Sequence, residues 1–250
     1  MQTNPKKSLL RWSEFRKGSP RIPYEVTSEE PSALPAVEII RNQSKYGRSL
    51  KRIGDVIFSL LVLTLGSPIF LLIGLLVKLS SSGPIFYIQK RIGRNYKEFG
   101  CIKFRTMYED ADQLLPNLLE RHPLMREEFE KDFKLRHDPR ITKLGTFLRR
   151  SSLDELPQFL NVLKGEMSVV GPRPIVGNEI HKYSLFMEEV ISVRPGLTGL
   201  WQVSGRNNLS YKKRVQLDLV YARNRNFILD CEIIILTLGV LLFPMDRGAF

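Results

Sequence analysis

An uncharged apolar run at residues 56–77, VIFSLLVLTLGSPIFLLIGLLV, constrains the fold of this chain more than any other feature. As one straight helix it would measure about 33 Å, enough to cross a hydrocarbon core of roughly 30 Å. Gly66, Ser67 and Pro68 fall at its midpoint, where the proline removes a helical hydrogen bond and clashes with the preceding turn. We therefore predict a kink there, with the Ser67 hydroxyl bonded to a backbone carbonyl that the break frees.

Both flanks of the apolar run are basic. The cations are Lys45, Arg48, Lys51 and Arg52 before it, and Lys78, Lys90, Arg91 and Arg94 after it. Because basic flanks favour the cytoplasmic side, a straight spanning helix would have to export one of them. A helix that enters the membrane, bends at Ser67-Pro68 and returns keeps both flanks on one side. We favour this re-entrant hairpin, and the alternative is a kinked spanning helix.

The apolar run divides the chain into three parts. Residues 1–46 contain five prolines, many charges and little periodicity, which predicts a flexible N-terminal tail. They are not expected to be a secretory signal, because the first apolar run begins too late and no cleavage site follows it. Residues 47–82 form the predicted membrane hairpin, and residues 83–250 form a folded domain long enough for a hydrophobic core.

The folded domain is predicted to be α+β, mainly helical with a small β-hairpin. Segments 84–91 and 99–105 are rich in Ile, Phe and Tyr, and they flank Gly93-Arg94-Asn95 as hairpin strands would. The charged stretch 109–134, with leucines at helical spacing, predicts two amphipathic helices broken near Pro116 or Pro123.

A final helical stretch is expected to begin at Leu217. Its apolar part, residues 233–243, follows Asp230 and Glu232 and is too short to cross a membrane. We expect that part to lie in the core or in the membrane interface.

Charge and motif content narrow the function classes. A net charge of +12 and a pI near 9.8 imply an anionic partner: nucleic acid, anionic lipid or a phosphate-rich substrate. The two cysteines, Cys101 and Cys231, are far apart in sequence, which indicates a reduced, cytoplasmic setting. No dinucleotide-binding fingerprint, Walker loop or nucleophile elbow occurs in the sequence.

Residues 149–174, RRSSLDELPQFLNVLKGEMSVVGPRP, carry the strongest chemical signal. Because Pro157 is tolerated only in a first turn, a helix should start near Asp154 or Glu155 and end at Lys164-Gly165. A purely structural interpretation makes Asp154 an N-cap, or pairs Ser152 with Glu155 in a capping box.

The same geometry also suits catalysis. A helix N-terminus favours an ionised carboxylate and attracts phosphate. An ionised Asp154 held against a phosphoryl group is a competent nucleophile. Arg149 and Arg150 can neutralise the phosphate charge that would otherwise repel it.

Further cations are candidates for phosphate contacts. Arg173 lies between Pro172 and Pro174, which restrict its backbone; the alternative is a rigid turn with a solvated arginine. The glycine-rich segment 194–206 contains Trp201 and ends at Arg206. It could hold a nucleotide diphosphate, and the alternative is a loop packed by Trp201. The motif IKFRTM adds Lys103 and Arg105, two cations at a predicted strand end that could equally be solvated.

In this order, these motifs resemble the bacterial sugar transferases, the monotopic phosphoglycosyl transferases that begin assembly of membrane glycans. The matching segments, from about Lys51 to the C-terminus, are KRIGD, LGSPIF, KFRTM, the 149–174 segment and VRPGLTGLWQVSGR. Each motif is weak alone, but the ordered set is specific. The tail before about Lys45 lies outside the resemblance, and the four N-terminal spanning helices of the long family form are not seen.

The resemblance implies transfer of a sugar 1-phosphate from a UDP-sugar to a polyprenyl (undecaprenyl) phosphate, releasing UMP. Asp154 would be the nucleophile of a covalent intermediate, with Glu155 as its partner, either aiding proton removal or organising Mg²⁺; the metal residues would be Asp154 and Glu155. Phosphate contacts are assigned to Arg149, Arg173 and Arg206, with Lys103 and Arg105 less specific. The family's re-entrant helix implies a monotopic protein of the bacterial inner membrane, with residues 83–250 as a catalytic domain on the cytoplasmic face.

The motif wording GPRPIV and SVRPGLTGLWQVSGR is most similar to members that use UDP-galactose or UDP-glucose, in exopolysaccharide, capsule or O-antigen synthesis. Membrane lipid is an expected partner, and nucleic acid is not, because the cations cluster beside apolar segments. The oligomeric state is left open between monomer and homodimer. The main rival hypothesis is a membrane-anchored basic binding module without catalysis.

Overall fold

The computed structural model describes residues 45–242, except residues 133, 134 and 136. The predicted tail, residues 1–46, lies almost entirely outside this range, and so does Phe243 at the end of the last apolar segment. The described residues form helices joined by loops and short 3₁₀ turns, with two small sheets. The predicted class, α+β and mainly helical with a β-hairpin, is confirmed.

The apolar run forms two helices with a sharp bend between them. Helix α1 spans Lys45–Leu65 and helix α2 spans Ser67–Ser80. The two meet at 64°, and Pro68 occupies the first turn of α2, as the kink prediction requires. The Ser67 hydroxyl donates to the Thr64 carbonyl at 2.8 Å, so the predicted compensation for the break is confirmed.

Neither helix on its own meets the length and hydropathy expected of a membrane span within the described residues, whereas the bent pair does so when taken together. Large apolar side chains stand out from both helices, among them Leu65 at 77% exposure, Leu71 at 76% and Leu79 at 74%. The inner faces pack on the rest of the molecule through Ile73 and Val77, which are buried.

The predicted β-hairpin is present. Strand β1, Phe86–Ile92, pairs antiparallel with strand β2, Glu98–Phe104. The turn between them contains Asn95 and Tyr96 at positive φ, 54° and 60°. This register places Gln89 opposite Cys101 and Arg91 opposite Phe99, and therefore puts alternate side chains of both strands on one face.

Two helices follow the hairpin, as predicted. Helix α3 is Ala111–Arg121 and helix α4 is Pro123–Asp132. The break falls at Pro123, while Pro116 lies inside α3. Of the two break points considered, Pro123 is therefore the one that separates the helices.

The central part of the domain consists of short elements. In chain order these are α5 Lys143–Ser151, α6 Gln158–Lys164, β3 Ser168–Val170, α7 Ile180–Tyr183, α8 Met187–Ile191, β4 Gly196–Thr198 and α9 Leu200–Ser204. Strands β3 and β4 pair in parallel, a second sheet that the sequence did not predict. Gly196 is required there, because a Cβ would lie 2.1 Å from the Gly171 nitrogen.

The final helix was predicted to begin at Leu217, and this starting residue was wrong. Helix α10 spans Tyr211–Asn224, and the apolar segment lies in a separate helix, α11, Phe227–Leu242. Helix α10 begins early because the Ser210 hydroxyl accepts from the Lys213 amide and caps it. Ile233 of α11 is fully buried, which assigns that part of the apolar segment to the core.

The main core lies between the hairpin, helix α6, the parallel strands and helices α9 to α11. Its buried side chains include Cys101, Phe159, Val162, Met167, Val170, Trp201, Leu217, Tyr221 and Ile233. Helix α1 packs along α6, so the bent helix pair and the Asp154-Glu155 segment share one scaffold.

Candidate active site

The carboxylate pair lies in a 3₁₀ turn between two α-helices. Helix α5 ends at Ser151, and its C-cap Ser152 adopts the left-handed conformation (φ 58°) and donates its amide to the carbonyls of Leu148 and Arg149. The turn Leu153–Glu155 follows, and Asp154 is only 7% exposed.

Two local predictions for this segment were wrong. Helix α6 begins at Gln158 with Pro157 as its N-cap, so Asp154 is not a helix N-cap. The Ser152 side chain makes no capping bond, so the capping box with Glu155 is absent. The physical reason is the left-handed Ser152, which turns the chain into a tight 3₁₀ turn before the α-helix can begin. The predicted helix end is confirmed, since Gly165 caps α6 at φ 82°.

Helix α6 is fixed against strand β2 by one buried asparagine. The Asn161 amide donates to the Gly100 carbonyl at 2.7 Å and its carbonyl accepts from the Ile102 amide at 3.0 Å. These bonds hold the start of α6, and with it the carboxylate pair, beside the end of the strand that carries Lys103.

Lys103 reaches the pair directly. Its Nζ lies 2.5 Å from Oε1 of Glu155, across 52 residues of sequence. Burial would raise the pKa of Glu155, but the charges of Lys103 and Arg173 outweigh it and hold that pKa below its usual value. The Glu155 side chain remains 36% exposed, so this carboxylate is ionised and open to the cleft.

The pKa of Asp154 is shifted in the opposite direction, above its usual value. Burial raises its pKa, Glu155 adds to the rise, and the charges of Lys103 and Arg149 oppose it. The two neighbouring carboxylates are therefore separated in acidity, the buried one weaker and the paired one stronger. Such a split is common where two adjacent acids have different chemical roles.

Three of the predicted arginines converge on the pair. Arg149 is half-buried and donates through Nε to the Thr106 hydroxyl at 2.9 Å. Arg173 and Arg206 lie in the same cleft, and the charge of Glu155 is felt at both. Arg206 has a left-handed backbone (φ 52°) and lines the cleft.

Arg105 is placed differently. Its guanidinium donates to the carbonyls of Ser81 and Ser82, in the loop that follows helix α2. The strand ends at Phe104, so the alternation that would put Arg105 beside Lys103 no longer applies. Arg105 therefore joins the bent helix pair to the sheet, and it also lines the cleft that contains the carboxylate pair.

Arg91 belongs to the site and was missed as a site residue. It is 7% exposed, donates to the Pro174 carbonyl at 2.9 Å and contributes to the low pKa of Glu155. In the sequence, Arg91 was interpreted only as a basic residue flanking the apolar run. The predicted β-hairpin could have identified it as a site residue, because side chains alternate along the strands and Arg91 therefore shares a face with Lys103.

Trp201 forms part of the cleft wall beside the arginines. The guanidinium of Arg173 lies 5.8 Å from the indole centre and that of Arg214 lies 5.1 Å from it. Both distances are within the range of cation–π attraction. The fully buried Asp218 carboxylate accepts from the Tyr183 hydroxyl at 3.0 Å; burial raises its pKa, and the charge of Arg173 opposes that rise. The indole contact restrains the Arg173 side chain in the cleft wall.

The carboxylate pair is the candidate metal site. Over the described ranges, no cluster of three or more His, Cys, Asp or Glu side chains is arranged to hold a metal ion. Asp154 and Glu155 nevertheless fit Mg²⁺, which is usually held by one or two carboxylates together with substrate phosphates and water.

The arrangement suits phosphoryl chemistry. A buried carboxylate and an ionised one lie beside Lys103, Arg91, Arg149, Arg173 and Arg206 at one end of an open cleft. Positive charge of this kind stabilises a phosphate that approaches a carboxylate, and it would also stabilise the charge that develops on a leaving phosphate.

Comparison with known proteins agrees with this chemistry. Residues 46–244 match the family model described as bacterial sugar transferase. The chain is 46% identical over 200 residues to the exopolysaccharide production protein ExoY of Sinorhizobium fredii, covering 80% of this chain and 88% of that protein.

Two longer relatives carry more explicit names. The undecaprenyl-phosphate galactose phosphotransferase of Salmonella typhimurium is 47% identical over 196 residues, 78% of this chain and 41% of that protein. The UDP-glucose:undecaprenyl-phosphate glucose-1-phosphate transferase of Escherichia coli is 38% identical over 218 residues, 84% of this chain and 44% of that protein. The chain thus spans less than half the length of these two relatives.

Proposed function

The chain belongs to the bacterial sugar transferase family, and we propose that it transfers a sugar 1-phosphate from a UDP-sugar to undecaprenyl phosphate, releasing UMP. The observation that carries this proposal is the buried Asp154 beside the Lys103–Glu155 ion pair, with Arg91, Arg149 and Arg173 around them. The names of the Salmonella typhimurium and Escherichia coli relatives supply the donor and acceptor classes.

In the first half-reaction, a carboxylate oxygen of Asp154 attacks the phosphorus that bears the sugar. The new Asp154–phosphorus bond forms as the pyrophosphate P–O bond breaks, and UMP leaves with that electron pair. Arg149 and Lys103 neutralise the attacked phosphate, which is otherwise repelled by the carboxylate. Arg173 and Arg206 are the side chains placed to hold the donor diphosphate.

In the second half-reaction, a phosphate oxygen of undecaprenyl phosphate attacks the same phosphorus. The Asp154–phosphorus bond breaks, the carboxylate is restored, and the lipid carries a sugar diphosphate. Both steps are phosphoryl transfers to an oxygen anion, so no net proton or redox change is required. Glu155 stays ionised in its pairing with Lys103 and organises the charges around the reacting phosphate.

We further propose that Asp154 and Glu155 hold Mg²⁺ together with the donor diphosphate. When bound, the ion would neutralise charge on the diphosphate. The pairing of Lys103 with Oε1 of Glu155 leaves the other oxygen of that carboxylate for this role. Galactose or glucose is the proposed sugar, in keeping with the names of the two longer relatives.

The bent pair α1 and α2 is proposed to enter and leave the membrane on the cytoplasmic side as a re-entrant hairpin. Exposed leucines on both helices and basic residues on both flanks support this placement. Because the phosphate of undecaprenyl phosphate lies at headgroup depth, the carboxylate pair must lie there too. Because α1 packs along α6, the depth of the helix pair in the membrane would set the depth of the carboxylate pair.

The test is a screen of UDP-sugars for UMP release by the full chain in detergent with Mg²⁺ and undecaprenyl phosphate. We expect release with UDP-galactose or UDP-glucose, and a loss of at least about 10³-fold in Asp154→Asn. Asp110→Asn, an exposed aspartate outside the cleft, is the matched control and should keep wild-type activity. No UMP release with any donor would favour a binding module without catalysis.

The covalent step has its own test. With donor but without undecaprenyl phosphate, the intact protein should gain the mass of one sugar phosphate, and Asp154→Asn should not. Kinetics that require donor and acceptor in a ternary complex, with no adduct under turnover, would contradict a nucleophilic role for Asp154.

A further inference from the structure

Four arginines gather at a second place, outside the cleft that contains the carboxylate pair. They are Arg48, Arg94, Arg194 and Arg225, here called the arginine cluster, and none of them lines that cleft. They come from the start of α1, the hairpin turn, the loop before β4 and the loop before α11.

An ion pair brings two of these segments together. Lys51 of α1 lies 2.7 Å from Asp230 of α11, which joins the beginnings of the two helices. Arg48 stands one turn before this pair on α1, and Arg225 stands five residues before Asp230. The bond therefore brings the two segments together, and the charge of Arg48 acts on Arg225.

The end of helix α6 brings in the third arginine. Arg52, one turn after Arg48, donates to the carbonyls of Val162 and Leu163, at 2.5 Å and 2.8 Å. Arg194 donates through Nε to the Gly165 carbonyl at 2.9 Å. Because α6 is seven residues long, these contacts lie about 10 Å from its other end, where the carboxylate pair is found.

Arg94 completes the cluster from the hairpin turn. Its Nε is buried and has no hydrogen-bond partner within the part of the chain that the structure describes. Its pKa is lowered first by burial and then by the charges of Arg194 and Arg48. Burial also lowers the pKa of Arg225; Tyr221 and Asp230 oppose this shift, and the charges of Arg94 and Arg48 add to it. Positive charge thus accumulates here at a cost to the fold.

The charge of Asp230 partly offsets that of Arg225, but this carboxylate has no oxygen free to bond the arginine cluster. Both oxygens of Asp230 are already engaged, one by Lys51 and the other by the Tyr221 hydroxyl, each at 2.7 Å. Glu188, near the hairpin turn, accepts from the Tyr96 hydroxyl at 2.8 Å. A cluster of arginines whose neighbouring acids are occupied is arranged to receive an external anion.

The position of the cluster indicates which anion. Exposed apolar side chains begin immediately beyond it on both helices, with Ile53 at 54% on α1 and Phe227 at 73% on α11. The cluster therefore lies where polar surface gives way to apolar surface. At a membrane this is the depth of lipid phosphates.

We propose that the arginine cluster binds a phosphate group, that of an anionic membrane lipid, at a site separate from the catalytic cleft. The guanidinium groups of Arg48 and Arg94 are expected to contact phosphate oxygens, because guanidinium forks match phosphate geometry. A lipid held there would fix the level at which α1 and α11 meet the membrane, and with it the level of helix α6.

The experiment measures binding of phosphatidylglycerol to the full chain in neutral detergent, from the melting temperature as the lipid is titrated. Wild type should be stabilised, and the double variant Arg48→Gln/Arg94→Gln should bind roughly 30-fold more weakly, because each basic residue adds to the attraction of an anionic lipid. Lys143→Gln, which removes an exposed cation on α5, is the control and should behave as wild type.

Two further additions distinguish the source of the phosphate. Phosphatidylcholine should have little effect, since its headgroup carries no net charge. Inorganic phosphate that reproduces the full stabilisation would overturn the lipid assignment in favour of a free oxyanion. Equal responses to phosphatidylglycerol in the double variant and wild type would overturn the site itself. The charge-conserving variant Arg48→Lys/Arg94→Lys should bind phosphatidylglycerol more tightly than the Gln double variant. This result would show that the loss in the Gln variant comes from the missing charge and not from a folding defect. The measurement does not require turnover, so its outcome is independent of the proposed transferase activity.

Discussion

Asp154 and Glu155 are neighbours in sequence but differ sharply in their surroundings. Asp154 is buried, and burial raises its pKa to about 6. Glu155 is more exposed and is bonded to Lys103, with Arg173 and Arg91 also lowering its pKa. A nucleophile must be ionised yet poorly solvated, and a charge organiser must be ionised throughout. These two environments match the roles proposed for Asp154 and Glu155.

A pH dependence follows from the raised pKa of Asp154. Below that pKa the acid is protonated and cannot attack phosphorus, so UMP release should rise with pH through about 6 and then level off. The measurement is kcat/KM for the UDP-sugar between about pH 4.5 and 8. A rate that is flat across this range would remove Asp154 ionisation from the rate-limiting chemistry.

Lys103→Met should move that profile. Loss of the lysine charge removes an interaction that lowers the pKa of both carboxylates, so the acidic limb should shift upwards by about one pH unit or more. A lower rate alone could reflect a lost phosphate contact, and therefore the informative result is the position of the limb. Lys143→Met on the surface of α5 should leave the limb where it is in the wild type.

Helix α6 is short but is bonded to both the β-hairpin and helix α1. Its first turn follows the carboxylate pair, Asn161 bonds it to strand β2, and Arg52 of α1 bonds to its last carbonyls. The last carbonyls of a helix have no partner within it, and a guanidinium placed there satisfies two of them. Helix α6, which follows the carboxylate pair, is thus held by the sheet on one side and by helix α1 at its end.

Arg52→Gln should weaken this connection. Two charge-assisted hydrogen bonds are lost and two carbonyls lose their partner, so we expect destabilisation of about 1–3 kcal/mol. Chemical unfolding in detergent measures the effect. Arg52→Lys, which cannot reach both carbonyls as a fork, should recover part of the loss, and Lys143→Gln should change stability by less than about 0.5 kcal/mol. Wild-type stability in Arg52→Gln would show that α1 does not support α6 through this contact.

At the scale of the whole molecule, the bent pair α1 and α2 gives the folded domain an apolar projection on one side. Helices α1 and α2 meet at 64°, with Val77 of α2 buried and Arg105 bonded to the loop that follows α2. If the two helices formed one straight helix, α2 and the loop after Ser80 would lose these contacts. The fold and the proposed re-entrant topology therefore depend on the same bend.

Topology can be tested by the double substitution Ser67→Leu/Pro68→Leu. In the wild type, cysteines introduced at Gly47 and Ser81 should both be labelled only from the cytoplasmic side, in a Cys231→Ser background. In the double variant, removal of the proline should straighten the helix and expose position 47 to the opposite side. Labelling of position 47 from outside in the wild type would establish a spanning helix instead.

Local rules predicted several parts of the structure from the sequence. Proline and serine chemistry specified the kink at Ser67-Pro68, the hairpin followed from segments rich in Ile, Phe and Tyr, and Gly165 ended helix α6 where expected. The errors concern places where tertiary contacts compete with local preference. Ser152 in the left-handed region displaced the helix start, and the parallel pairing of β3 with β4 joins segments that are distant in sequence.

The sequence alone identified a carboxylate pair, several cations as candidates for phosphate contacts and an apolar run broken by proline, because each depends on residue type and short spacing. Only the tertiary structure decided which cations meet the carboxylates. It brings Lys103 to Glu155 across 52 residues and Arg91 to Pro174 across 83, and it directs Arg105 to another loop. The burial that raises the pKa of Asp154 is likewise a property of packing. Contacts over such separations depend on how elements pack, which short-range sequence patterns do not specify.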